Sequence, residues 1–285
     1  RAAVEPGPGP NNGEFNMLSF SVIVCIAALF RWNYASKGQP QDLRVAAITA
    51  SDRMITAGDI QYEPQQLKVA RISKNINILI AGDYSLHSQA IKQTMESVAG
   101  KSTVTPYNAA LIYGAAIQSV KRRESEDIFL APLGLNTDSF LAQQKEMSDG
   151  LSTYLAKQLQ GYKGEDVSAL VVGTENGVAQ IYSVDSYGIV GSLADVGFGA
   201  IGVGAWHARS AMMQVGYVNT WVLAPALAAV FAAKKAAEIA PGVGKYTDIQ
   251  IITKDGSILL WPKVEKQLHV LYDTFVTTRL ELTNK

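Results

Sequence analysis

The chain is poor in cysteine and histidine, and neither charge sign is in excess. Its 285 residues hold one cysteine, three histidines and 25 Lys+Arg against 25 Asp+Glu. A lone Cys25 excludes an intrachain disulfide and a Cys-rich zinc site, and makes a reducing, cytoplasmic setting the default. Balanced charge gives no reason to expect nucleic acid or an anionic membrane as partner. The apolar run MLSFSVIVCIAALF at 17–30 is too short to span a membrane. As a signal-peptide core it lacks any Lys or Arg between Met17 and Phe30, and no clear cleavage site follows it. Its β-branched residues fit a buried strand better. The glycine turns GVGA and GFG precede no Gly-Lys-Ser/Thr, so they are not phosphate loops. His87 and His207 sit near glycine turns, but no third ligand stands at a recognisable spacing; neither a metal nor a cofactor is expected.

What is present is an ordinary supply of core: 48% of the residues are apolar. Residues 1–16 are rich in Gly, Pro and Asn and aperiodic, and read as an expression scar or disordered linker, with Met17 as native start. Residues 17–285 show no linker and no tandem repeat, and read as a single domain.

The first half reads as strands: SVIVCIAAL, LRVAAITA, KVARIS and NINILIAG. A helix capped by Asp83 or Ser85 follows, then one from about Pro106 to Arg123 and one from about Ser139 to Gln160. In the second half, DVSALVVGTENGVAQIYSVDSYG is a hairpin turning at Glu175-Asn176-Gly177. A strand over Gly188–Ala200, broken by Gly197 and Gly199, leads to a helix in IGVGAWHARSAMMQ. The Ala-rich segment 220–240 is a long helix with Pro225 at its start or a kink, and Trp221 and Phe231 offer a contact surface. YTDIQIITKDGSILLWP closes the pattern as a hairpin turning at Asp255-Gly256. This order predicts helices covering stacked, mainly antiparallel sheets in one α+β domain. Trp206, Trp221 and Trp261 are expected in the core or at an interface.

The chemistry-bearing residues are Asp52, Lys68 and Gly82, which close or open neighbouring strands 16 and 14 positions apart. An acid, a lysine and a glycine at adjoining strand ends can converge on one point. By themselves they are equally a structural salt bridge and a tight strand-to-helix turn. Cys25 lies within a strand and reads as a small core side chain.

The run VCIAAL, then TASDR, LKVARI and ILIAGD, resembles the proteasome β-subunit pattern, nearest to the bacterial proteasome-like proteins of the N-terminal nucleophile hydrolase class. AIGVGAWHARSAM is similar to that family's glycine-serine turn into a helix, and YTDIQIITKDG to its penultimate hairpin. The resemblance implies a four-layer αββα sandwich, an amide-bond hydrolase acting on peptide or protein, and homo-oligomeric rings. It places Ser21 at the nucleophile position, with its freed α-amino group as base. It makes Lys68 the cation that lowers the nucleophile's proton affinity, Asp52 the carboxylate that orients that lysine, and Gly82 the N–H donor to the oxyanion. Arg53 is a candidate for substrate binding or for a structural ion pair. The sequence departs from the family where Phe20-Ser21 stands in place of Gly-Thr at the cleavage junction. It departs again at Val203, which replaces a serine, and in APGVGKYTD, which has no Asp and Ser pair. A catalytically inactive homologue with a scaffolding role therefore stands as the alternative.

Overall fold

The computed structural model describes residues 20–22, 24–34, 42–57, 60–63, 68–101 and 103–283. The leader at 1–16 and the start at Met17 lie outside them, as does most of the polar turn after Tyr34. The chain is mixed α+β. Among the described residues the strands are β1 (Phe20–Val22), β2 (Cys25–Tyr34), β3 (Asp42–Ser51), β4 (Ile55–Ala57), β5 (Ile60–Tyr62), β6 (Val69–Ser73), β7 (Ile76–Asp83), β8 (Val167–Glu175), β9 (Val178–Val184), β10 (Val190–Ser192), β11 (Phe198–Ile201), β12 (Asp248–Thr253) and β13 (Gly256–Leu259). The helices are α1 (Tyr84–Val98), α2 (Pro106–Phe129), α3 (Thr137–Gln143), α4 (Asp149–Gly161), α5 (Ala205–Gln214), α6 (Leu223–Ala237) and α7 (Pro262–Thr283).

The strands form two antiparallel sheets. One runs β13-β12-β3-β2-β11; in the other, β9-β8-β7 continues through β1 to β4 and β5, with β10 on β9 and β6 on β7. A single parallel bridge, Val45 to Val178, joins them. Strand β2 explains the apolar run in the sequence. Cys25, Ala27 and Leu29 face one core with β7, β8, α1 and α2, while Val24, Ile26, Ala28 and Phe30 face another with α5, α6 and α7. A strand covered on both faces has no polar alternation to display. Polar bonds tie the two sheets: Asn77 Nδ2 on β7 donates to Gln250 Oε1 at 2.8 Å and Ser257 Oγ at 2.9 Å on the opposite hairpin. Thr174 Oγ1 on β8 donates to the Thr253 carbonyl on β12 at 3.2 Å.

Local chemistry sets most boundaries as expected. The Asp83 side chain accepts from the Leu86 N–H at 2.7 Å and caps α1, so Asp83 rather than Ser85 is the cap. Thr105 caps α2 with Pro106 in its first turn. Asn176 and Gly177, at φ 52° and 80°, make the β8–β9 turn. Pro225 is the third residue of α6, within its first turn.

Five expectations change. The strand expected over SVIVCIAAL is two: β1 pairs with β4 and β7 in one sheet, and β2 with β3 and β11 in the other. The helix expected over Ser139–Gln160 is two: α3 carries its own capping box between Asn136 and Ser139, and Asp149 opens α4 in the first turn. The strand over Gly188–Ala200 is two, because β10 pairs with β9 in one sheet and β11 with β2 in the other, with Gly197 turning at φ 78° between them. The β12–β13 turn is Lys254-Asp255, one place earlier than expected, and Gly256 already pairs with Thr253. In α6, Phe231 is buried with Ala226, Ala229 and Val230 against β2 and β3, so it belongs to the core rather than to a contact surface. Trp206 and Trp261 are exposed, whereas Trp221 packs partly buried against the α6 core. The short strands β4 and β5 and the long α7 were not legible beforehand.

Candidate functional site

Strand ends bring the predicted residues together. Asp52 directly follows β3, Lys68 directly precedes β6, and Gly82 is the penultimate residue of β7. Asp52 and Lys68 are buried, and the Lys68 ammonium donates to Asp52 Oδ1 at 2.9 Å and to the Met54 carbonyl. Asp52 is further held by three backbone donors. Val24 N–H reaches Oδ1 at 3.2 Å, and Met54 N–H and Gly244 N–H reach Oδ2 at 3.2 and 2.8 Å. Asp52 returns a bond of its own, N–H to the Val24 carbonyl at 3.4 Å. A buried carboxylate needs this much compensation to stay in place.

Strand β1 runs past this pair. The backbone of Ser21 lies opposite Thr56 on β4 and Asp83 on β7, and Val22 lies opposite Gly82. The backbone therefore sets Ser21 one residue from the Gly82 register. The side chain of Ser21 lies outside the described atoms. Gly82 has φ 108°, and a Cβ there would stand 2.2 Å from the Asp166 carbonyl oxygen. Only glycine fits this approach of β7 to the start of β8.

Arg53 resolves to an ion pair. Its guanidinium forks onto Asp248, Nε to Oδ2 at 2.7 Å and an Nη to Oδ1 at 2.5 Å, and lies 5.7 Å from the centre of the Tyr246 ring. The bond to Asp248 chiefly raises its affinity for the proton. This bidentate grip fixes the guanidinium plane and engages two of its five N–H donors.

Cys25 is a core group, as expected. Its S–H donates to the Ile80 carbonyl at 3.3 Å, and burial pushes its thiol up to about 12, with Lys68 opposing and Asp52 adding to the shift. A thiol held so far from ionisation is no nucleophile. No group of three metal-ligating side chains occurs among the described residues. His87 is fully buried and turned inward, with Nε2 3.0 Å from the Ala81 carbonyl and Nδ1 against the Tyr113 hydroxyl.

Three groups escaped the sequence reading. Gly244 brings its N–H to Asp52 from a loop 192 residues away. Its carbonyl in turn accepts from the Lys234 ammonium at 2.6 Å, which also donates to Glu238 at 2.7 Å. Lys234 is wholly buried, and burial lowers its proton affinity against the opposing pull of Glu238. A signal for it existed: Lys234 stands four residues after Val230 and three after Phe231, on the buried stripe of an otherwise apolar helix. His87 likewise falls on the buried stripe of α1 with Ala90 and Thr94. Val203, in the turn where the resemblance expects a serine, is exposed and points no hydroxyl at the site.

The site thus offers a buried cation fixed by a carboxylate, with Ser21 on β1 and, on the paired strand β7, Gly82 at φ 108°. No helix among the described residues is long and apolar enough to cross a membrane. No protein-family model matches this chain, and no curated protein matches its sequence.

Proposed function

We propose that this chain is a proteasome-like N-terminal nucleophile hydrolase with an αββα sandwich fold, cleaving amide bonds of peptide or protein substrates in rings of identical subunits in the cytoplasm. The observation that carries the reading is the buried Lys68–Asp52 pair set beside β1, with Gly82 in register with Val22. The two facing sheets, with α1 and α2 packed in one core and α5 and α6 in the other, support the four-layer arrangement.

In this mechanism the bond between Phe20 and Ser21 is cut first, which frees an α-amino group at Ser21. That amine, with a pKa near 8 in an ordinary peptide, takes the Ser21 hydroxyl proton as Oγ attacks the substrate carbonyl. The Lys68 charge favours the developing alkoxide, and Asp52 holds Lys68 in place. The Gly82 N–H donates to the tetrahedral oxyanion. The amine returns its proton to the leaving nitrogen, an ester forms on Ser21, and water hydrolyses it by the same steps.

A second reading is a silent subunit that keeps the fold for assembly. The exposed Val203 in place of a serine, and Phe20 pairing with Ala57 ahead of Ser21, favour it. The two readings separate on protein produced to begin at Ser21 and treated with a peptide epoxyketone, which needs both a hydroxyl and a free α-amine. Hydrolytic competence gives one adduct by intact mass, absent after Ser21→Ala. Absence of an adduct on the Ser21-initiated protein overturns the hydrolase reading.

A further inference from the structure

We propose that His87 is a positioning residue that polarises and aims the Gly82 N–H through the peptide group the two share. The inference rests on the reading of Gly82 as the oxyanion donor.

The carbonyl of Ala81 and the N–H of Gly82 belong to one peptide unit. His87 Nε2 lies 3.0 Å from that carbonyl oxygen. A carbonyl can only accept, so Nε2 carries the ring proton and donates it. The other ring nitrogen, Nδ1, is then the acceptor for the Tyr113 hydroxyl, which locks the tautomer from α2. The two rings lie parallel, 3° between planes, which fixes the imidazole's orientation as well. The ring is fully buried, and burial lowers its pKa to about 4 against the opposing bond to Ala81. It is therefore a neutral donor at physiological pH.

Two consequences follow for Gly82. A trans peptide points its C=O and N–H in opposite directions, and the described chain has no cis bonds. With the Ala81 carbonyl turned onto α1, the Gly82 N–H is directed away from α1. A bond donated to a carbonyl also strengthens the N–H of the same unit as a donor, because polarisation runs through the amide. His87 thus spends its proton on the face of β7 remote from the chemistry. Gly82 accommodates this peptide orientation with φ 108°, outside ordinary strand geometry.

The test uses the full chain labelled with 13C-carbonyl alanine and 15N-glycine. Only three Ala-Gly peptides occur in the sequence, at 57–58, 81–82 and 99–100, so the 81–82 signal is assignable. His87→Leu removes the donor. His87→Gln keeps an N–H at about the reach of Nε2. The expected result is an upfield move of the Ala81 13C and Gly82 15N signals in His87→Leu, with the other two peptides unmoved and the position restored in His87→Gln. In the epoxyketone reaction on Ser21-initiated protein, His87→Leu lowers the maximal inactivation rate by about tenfold at unchanged reagent affinity, and His87→Gln recovers it. An unmoved 81–82 signal, or a moved signal with an unchanged inactivation rate, overturns the role of His87. If the parent protein gives no adduct, the reading of Ser21 falls instead, and the 81–82 signal alone decides whether His87 controls this peptide.

Discussion

Asp52 and Lys68 are joined in one ion pair, yet removing each should cost different amounts. In Lys68→Met the Asp52 carboxylate loses one donor and keeps three, the N–H groups of Val24, Met54 and Gly244. The loss is that of a hydrogen bond to a charged group, about 1.5–3 kcal/mol. In Asp52→Asn the balance is worse. One oxygen can still accept from Lys68 and Val24, but the new NH2 must face the N–H groups of Met54 and Gly244, donor against donor. Lys68 also stays buried without a counter-charge, held among its described partners by neutral oxygens alone, the Asn side-chain carbonyl and the Met54 carbonyl. Breaking a buried pair in this way costs about 3–5 kcal/mol. Equilibrium unfolding in urea, compared through midpoints at equal slope, should therefore rank Asp52→Asn well below Lys68→Met. The double variant should recover part of the sum, because the orphaned ammonium is gone. Equal losses, or a larger loss for Lys68→Met, would refute the claim that the three amides compensate Asp52 independently of Lys68.

Gly82→Ala should cost at least about 2 kcal/mol, since it combines a left-handed φ with a contact of 2.2 Å to backbone; a change within experimental error would show that β7 can shift away from Asp166. Phe231→Ala should cost about 3–5 kcal/mol by cavity formation, because the ring is buried and meets His269 and Tyr272 of α7 edge-on; a change below about 1 kcal/mol in thermal or urea unfolding would return it to the surface. His87 predicts a pH dependence. Its pKa falls from an ordinary 6.5 to about 4 on folding, so the unfolded chain binds the extra proton between those values. Stability is then full above about pH 6.5 and declines as pH falls towards 4, by about 3 kcal/mol in all. Tyr113 and the charge of Lys121 face the ring from α2, and Lys121 acts in the same direction as burial. His87→Gln should flatten that part of the urea-midpoint profile, and a profile parallel to the parent would exclude His87 as its source.

Where apolar spacing and turn chemistry act within a few residues, the sequence was enough. The run through Cys25 and Phe30 read as a buried strand, Asn176-Gly177 as a turn, and Asp83 or Ser85 and the region of Pro106 as helix starts. The order of these pieces determined an α+β chain. The spacing of Asp52, Lys68 and Gly82 also named residues at strand ends before any contact was known. Tertiary structure decided what lies between distant segments. The Gly244 loop reaches Asp52 across 192 positions, and nothing local to APGVGKYTD marks its N–H as a ligand. Arg53 became the partner of Asp248 because β12 pairs with β3, which no local pattern encodes. The strand expected over Gly188–Ala200 divided because its halves belong to different sheets, a choice made by pairing partners rather than propensity. His87 carried no signal beyond its place on the buried stripe of α1. Only the fold brought its ring to the carbonyl of Ala81, because hydrogen bonds are set by position in space while sequence sets local conformation.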